Sequence, residues 1–209
     1  MGFESLRRGR AVREARTFMG YNFLGSSMLA RLGRYIETSQ GFSVRIETNK
    51  RGKQKYYECT GGATVKSCVE KLKKNRSSLT AVRVLLMVGL NDILKGTRSD
   101  HTARDFRILL RMLKERQCHV VVMLLPPVPR FHPSSREERY RVWLNYKMQR
   151  MAESMNFRVL NVEAIFRTWD GSVKLEFFER FMGASRRTDN IHWNTQGMFA
   201  VMGFLRNHL

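Results

Sequence analysis

The chain has 209 residues, with 38 Lys and Arg against 18 Asp and Glu, for a net charge of +20. That length suits one domain with a sizeable core, and 43% hydrophobic with 11% aromatic residues excludes a globally disordered chain. So large a basic excess points to a polyanionic partner, nucleic acid ahead of an anionic membrane surface, and no apolar run is long enough to span a bilayer.

Residues 1–17 form a basic arm or exposed helix, with Arg7, Arg8, Arg10, Arg13 and Arg16. This stretch has no apolar core of a secretory signal, and its first serine misses the myristoylation spacing. Residues 18–24 are apolar and aromatic and predict a buried strand. Gly25-Ser26-Ser27 breaks it, and residues 28–36 follow with helical spacing. Ser27 is therefore expected at a strand-to-helix turn. There its hydroxyl would rise above the sheet edge beside the N–H groups of a helix start. Such a serine also serves as a plain helix cap, and the two roles are compatible.

Residues 42–47 alternate like a strand, 48–55 form a polar turn, and 56–59 would return. This predicts a hairpin insertion near 42–59 with Lys50, Arg51, Lys53 and Lys55 at its tip. A glycine turn at 60–65, containing Gly62, leads into an amphipathic helix. That helix ends in Lys71, Lys73, Lys74 and Arg76, where cations suit the helix dipole. Residues 82–88 are the clearest buried strand and run into Gly89-Leu90-Asn91-Asp92. A polar pair at that point lies at the carboxyl end of a sheet, where open α/β sheets bind ligands. Helices are then predicted over 100–117, 135–156 and 195–209, and strands over 119–125 and 157–162. A loop containing all four prolines follows 125, and residues 164–187 are mixed. Strands alternating with helices predict an α/β fold with three layers and a mainly parallel central sheet, as one domain over 18–209.

The three cysteines, Cys59, Cys68 and Cys118, are odd in number and share no pairing or zinc spacing with one another or with the five histidines. A reducing intracellular compartment, cytoplasmic or nuclear, is the simpler expectation, with no metal site.

One further stretch ties the others together. In Asp189-Asn190-Ile191-His192 a carboxylate precedes an imidazole by three residues, a pairing that can orient the ring and fix its tautomer. Four stretches now stand in order: Leu24-Gly25-Ser26-Ser27, Gly61-Gly62-Ala63-Thr64, Val88-Gly89-Leu90-Asn91-Asp92, and Asp189 to His192. Over roughly residues 18–209 this resembles the SGNH, or GDSL-type, hydrolase superfamily. The resemblance implies that Ser27 is the nucleophile, that Asp189 and His192 complete a triad, and that Gly62 and Asn91 join the Ser27 N–H in an oxyanion hole. One departure stands out: the Asp that usually precedes the nucleophile is Ser26 here. The chemistry needs no cofactor. A serine hydroxyl needs an adjacent base, His192 can supply it, and acyl transfer from an ester then needs only oxyanion donors.

Two readings follow. The first is an esterase or deacylase that also holds RNA or another nucleic acid, similar to esterase domains of some LINE-type retrotransposons. The second is a non-catalytic RNA-binding member, similar to the C-terminal domain of Oskar. The complete Ser27, Asp189, His192 set favours the first; the charge and Ser26 favour the second. For either, the expected nucleic-acid contacts are Arg31, Arg34 and Arg45, the hairpin tip (Lys50, Arg51, Lys53, Lys55) and the helix end (Lys71, Lys73, Lys74, Arg76). These groups, with the N-terminal arm, are expected to merge into one positive surface if the first two strands are neighbours.

Overall fold

The structure, a computed structural model, describes residues 18–39, 47–48, 54–55, 58–74, 79–80, 82–182 and 187–209; residues 47, 48, 54 and 55 are described by backbone alone. The arm at 1–17 and most of the predicted hairpin lie outside the described residues.

In chain order the elements are β1 (Tyr21–Gly25), α1 (Ser27–Ser39), β2 (Glu47–Thr48), β3 (Gln54–Lys55), β4 (Glu58–Cys59), α2 (Val65–Lys74), β5 (Arg83–Met87), α3 (Leu90–Leu94), α4 (Ser99–Glu115), β6 (His119–Met123), α5 (Arg136–Glu153), β7 (Arg158–Leu160) and α6 (Thr195–His208). Two 3-10 turns, Glu163–Phe166 and Leu175–Phe177, occupy the stretch read as mixed. Five strands form one parallel sheet in the order β4-β1-β5-β6-β7. The central strands are continuous runs of Val, Leu and Met because both faces are covered, which is the sequence character of a buried parallel sheet. The helices α1 and α6 pack together on one face. On the other, α4 lies between α2 and α5, and α3 packs on α5. The three-layer α/β/α architecture is thus as predicted.

Three details differ from expectation. β1 begins at Tyr21, not at residue 18, because Met19 and Gly20 both take positive φ and fold Phe18 back onto Tyr21. Glu58–Cys59 is not the return strand of a hairpin. It pairs parallel to β1, Leu24 opposite Glu58 and Gly25 opposite Cys59, and forms the edge of the main sheet. The antiparallel pair is instead Glu47–Thr48 with Gln54–Lys55.

The strand order fixes where the chemistry can sit. From β1 the chain moves outward to β4, then crosses back over β1 to β5. Right-handed crossovers in opposite directions put α1 and α2 on opposite faces. They also open a crevice at the carboxyl ends of β1 and β5, the switch point at which such sheets bind ligands. Gly25 ends β1 against that crevice. A Cβ there would stand 2.2 Å from the Met87 carbonyl oxygen, so only glycine lets the two strands close up.

Candidate active site

Ser27 is the first residue of α1, directly after β1, and is half-buried. Its Oγ lies 2.8 Å from His192 Nε2, although 165 residues separate them. His192 Nδ1 lies 2.8 Å from both carboxylate oxygens of Asp189. An ionised carboxylate only accepts, so Nδ1 carries the proton and donates to Asp189. Nε2 is then left to accept from the Ser27 hydroxyl. The same Asp189 Oδ1 accepts the backbone N–H groups of Ile191 (3.1 Å) and His192 (3.0 Å), which locks the buried carboxylate in the turn it initiates.

The loop that carries the pair is held from several sides. Asn190 adopts φ +53, a left-handed conformation that asparagine tolerates better than most residues. Its carbonyl accepts from Arg130 N at 3.0 Å, tying the loop to the proline-rich segment after β6. Backbone bonds run from Glu179 N to His192 O (2.8 Å), Asn190 N to Glu179 O (2.9 Å) and Asp189 N to Arg180 O (3.0 Å). Trp193 is buried and stacked on Phe166 at 5.5 Å. Asn194 caps α6 by accepting from Gly197 N at 3.0 Å.

The two expected oxyanion donors meet at the same edge. Gly62 takes φ +73 in the turn closed by Ala63 N to Thr60 O (3.1 Å), at the position where such a turn favours glycine. Asn91 lies in α3 just past β5 and donates through Nδ2 to Ala63 O at 2.9 Å. An amide carries two N–H groups, so one donor on Asn91 remains beyond that bond. Lys95 Nζ reaches Gly62 O at 3.1 Å, and Asp92 Oδ2 accepts Val65 N at 3.0 Å. Three side chains of one short segment thus hold the glycine turn. Ser26 is buried, and its carbonyl accepts Ala30 N at 3.1 Å.

Arg31, read from the sequence as a nucleic-acid contact, lies next to the candidate site. One helical turn after Ser27, its Nη1 stands 3.7 Å from Asp189 Oδ2 with about a third of the side chain exposed. It stands beside the Asp189–His192 pair while part of it faces solvent. Burial first, then the Arg31 guanidinium, lower the His192 pKa from its ordinary value, and Asp189 opposes them. Sequence reasoning missed this contact; the i, i+4 spacing from Ser27 was the available signal.

Among the described residues, the basic groups of α1 and α2 stand apart. Arg31 and Arg34 lie on α1, and Lys71, Lys73 and Lys74 on α2, on opposite faces of the sheet. Lys71 pairs with Glu58 and Lys73 with Glu70 (3.3 Å). Lys74 is exposed. Arg45, Lys50, Arg51, Lys53 and Arg76 lie outside the described residues, and Lys55 is described by backbone alone.

No match was found among curated proteins. Solved structures with a similar fold include the OSK domain of Drosophila Oskar (TM-score 0.71, 17% identity, covering 92% of this chain and 89% of that one). A GDSL-like lipase from Bacteroides thetaiotaomicron is also similar (0.63, 14%, 88% and 84%), as is an acetyl xylan esterase (0.61, 14%, 90% and 98%). At these identities the likeness speaks for the fold. The sequence profile of GDSL-like lipases and acylhydrolases matches residues 23–198, a span that reaches from β1 through the Asp189–His192 loop into α6. The chain belongs to the GDSL-like lipase/acylhydrolase family.

Proposed function

We propose that the chain is a serine ester hydrolase, with Ser27 as nucleophile, His192 as general base and Asp189 as the group that orients it. A nucleic-acid-binding surface accompanies the site, and the three buried cysteines, with no disulfide among them, fit an intracellular setting. The observation that carries the reading is the unbroken relay of 2.8 Å contacts from Ser27 Oγ through His192 to Asp189. As Ser27 Oγ attacks the acyl carbonyl, His192 Nε2 takes its proton, and Asp189 stabilises the imidazolium. The carbonyl oxygen becomes an oxyanion facing the N–H of Ser27, the N–H of Gly62 and the Asn91 amide. His192 then returns the proton to the departing alcohol. Water, activated by the same base, releases the acid and restores Ser27.

The experiment is turnover of short-chain aryl esters by wild type, Ser27→Ala, His192→Ala and Asn91→Ala. The first two variants lose activity, and Asn91→Ala loses about 10²–10³ in rate. The second reading, a non-catalytic RNA-binding module, is favoured by the net charge of +20 and by Ser26 in place of the family's acidic residue. A folded wild type that turns over no ester of any acyl length while binding RNA decides for it.

A further inference from the structure

We propose that the outward face of α5, with the cleft between its first turn and the start of α4, binds single-stranded RNA. This rests on the nucleic-acid part of the reading above, but it places the contact in the second half of the chain, away from the basic groups of the first 80 residues. The helix buries Arg141, Leu144, Asn145 and Met148 against the sheet. Its other side carries Arg136, Arg139, Trp143, Tyr146, Lys147 and Arg150, spaced three or four apart, which makes one stripe. Arg136, Arg139, Tyr146 and Arg150 are exposed, and Trp143 and Lys147 half-exposed.

A stripe of cations on a helix is ordinarily a solvated face, interleaved with acids that pair with it. This one carries acids only near its ends: exposed Glu137 lies in the first turn, Glu153 stands 4.0 Å from Arg150 in the last, Glu138 points inward to Arg141, and no acidic residue occurs from 139 to 152. Aromatic rings fill the places between the cations. Lys147 Nζ lies 5.7 Å from the Trp143 ring centre and 5.8 Å from that of Tyr146, so one ammonium serves both rings. Tyr146 is 58% exposed, a large aromatic left to solvent beside that charge. The stripe leads at its N-terminal end into a cleft of about 250 Å³, lined by Thr97, Ser99, Arg136, Arg139, Tyr140 and Trp143. The adjoining helix α4 adds a ridge of exposed Arg104, Arg107, Arg111 and Lys114.

Cations that follow a phosphate backbone, with rings on which unpaired bases stack, are the parts of a single-strand site. Residues 136 to 150 span about 21 Å of helix, the length of a few nucleotides. A duplex hides its base faces, so rings of this kind select the unpaired strand. The hydroxyls of Thr97 and Ser99 in the cleft give the sugar 2′-OH polar partners.

The test is a fluorescence-anisotropy titration of short labelled single-stranded RNA at two salt concentrations, with duplex RNA and a polyglutamate peptide as competitors. The proteins are wild type, Tyr146→Ala, a triple variant changing Arg136, Arg139 and Arg150 to Ser, and a hairpin variant changing Lys50, Arg51, Lys53 and Lys55 to Ser. The altered α5 positions are exposed, so melting and ester hydrolysis are expected to match wild type. Tyr146→Ala should weaken binding about 5- to 100-fold with little change in salt slope. The triple variant should bind more weakly, with a salt slope shallower by about one for each phosphate it no longer neutralises. If wild type binds while both α5 variants bind as it does and the hairpin variant does not, the site on α5 is wrong and the nucleic-acid reading survives. If wild type does not bind RNA even at low salt, that reading fails and this site with it. Equal competition by duplex or polyglutamate, with Tyr146→Ala unaffected, makes the face a general polyanion patch and overturns the proposal.

Discussion

Arg31 shares one helix face with Ser27, and that spacing brings a guanidinium against the Asp189 carboxylate that accepts from His192 Nδ1. Burial first, and then this charge, disfavour the imidazolium and lower the His192 pKa from its ordinary value. Arg31→Met removes one cause of the lowered value while leaving burial and Asp189 in place. The acid limb of kcat/KM is therefore expected to move to higher pH in Arg31→Met, with Arg31→Lys staying near wild type. A pH–rate profile that is unchanged in Arg31→Met would show that the guanidinium does not reach the base. Ser27, Asp189 and His192 themselves were legible as residue types at intervals. Arg31 was not, because its role depends on a loop about 160 residues away in the chain, which helical periodicity cannot locate.

Two elements hold the edge on which these side chains stand. The first is α3. Asn91, Asp92 and Lys95 grip the glycine turn, and burial pushes the Asp92 carboxyl up to about 6 from 3.8. Because the folded value is raised, the native state holds this proton more tightly than the unfolded chain does. The group's contribution to stability is complete below about pH 4 and is lost as pH rises through 6. Asp92→Asn has no such proton to lose. Its stability relative to wild type should therefore improve by on the order of 2 kcal/mol between pH 4 and 7, read from urea midpoints. A difference independent of pH contradicts the burial. The second element is α5, whose fully buried Arg141 donates to Glu138 (2.7 and 2.8 Å) and to the Leu125 carbonyl (2.9 Å). One turn on, Asn145 both donates to and accepts from the Leu125 backbone at 2.8 Å, fixing the chain as it leaves β6. Arg141→Ala leaves the Glu138 carboxylate with Arg167 (3.2 Å) as its cation and should cost about 2–3 kcal/mol in a denaturant melt. A loss below about 1 kcal/mol would mean that water replaces the guanidinium. The strands β5 and β6 were legible because their runs of Val, Leu and Met are long. Strand β4 was not, since two residues carry no period, and the pair was read with the hairpin beside it. The 3-10 turns between 163 and 177 were equally silent, held by local backbone bonds and by Phe166, Phe177 and Phe178 packing.

At the scale of the molecule, the strand order explains both why the site residues meet and why the basic residues of α1 and α2 separate. Carrying β1 outward to β4 and back across to β5 brings Ser27 and Asn91 to one crevice, and the same crossovers part α1 from α2. The alternation of strands and helices was enough to foresee three layers. It does not contain the strand order, and without that the basic groups of α1 and α2 could be imagined side by side. Among the described residues no helix is long and apolar enough to cross a membrane. The central claim is that the relay from Ser27 to Asp189 is a working one. It is tested most directly by following the hydrolysis of a short-chain aryl ester by the purified wild type and by Ser27→Ala, with both shown to be folded by their melting curves. Turnover in wild type that falls to background in Ser27→Ala is the predicted result. Equal rates in the two proteins, or no turnover in a folded wild type across several acyl lengths, would contradict it.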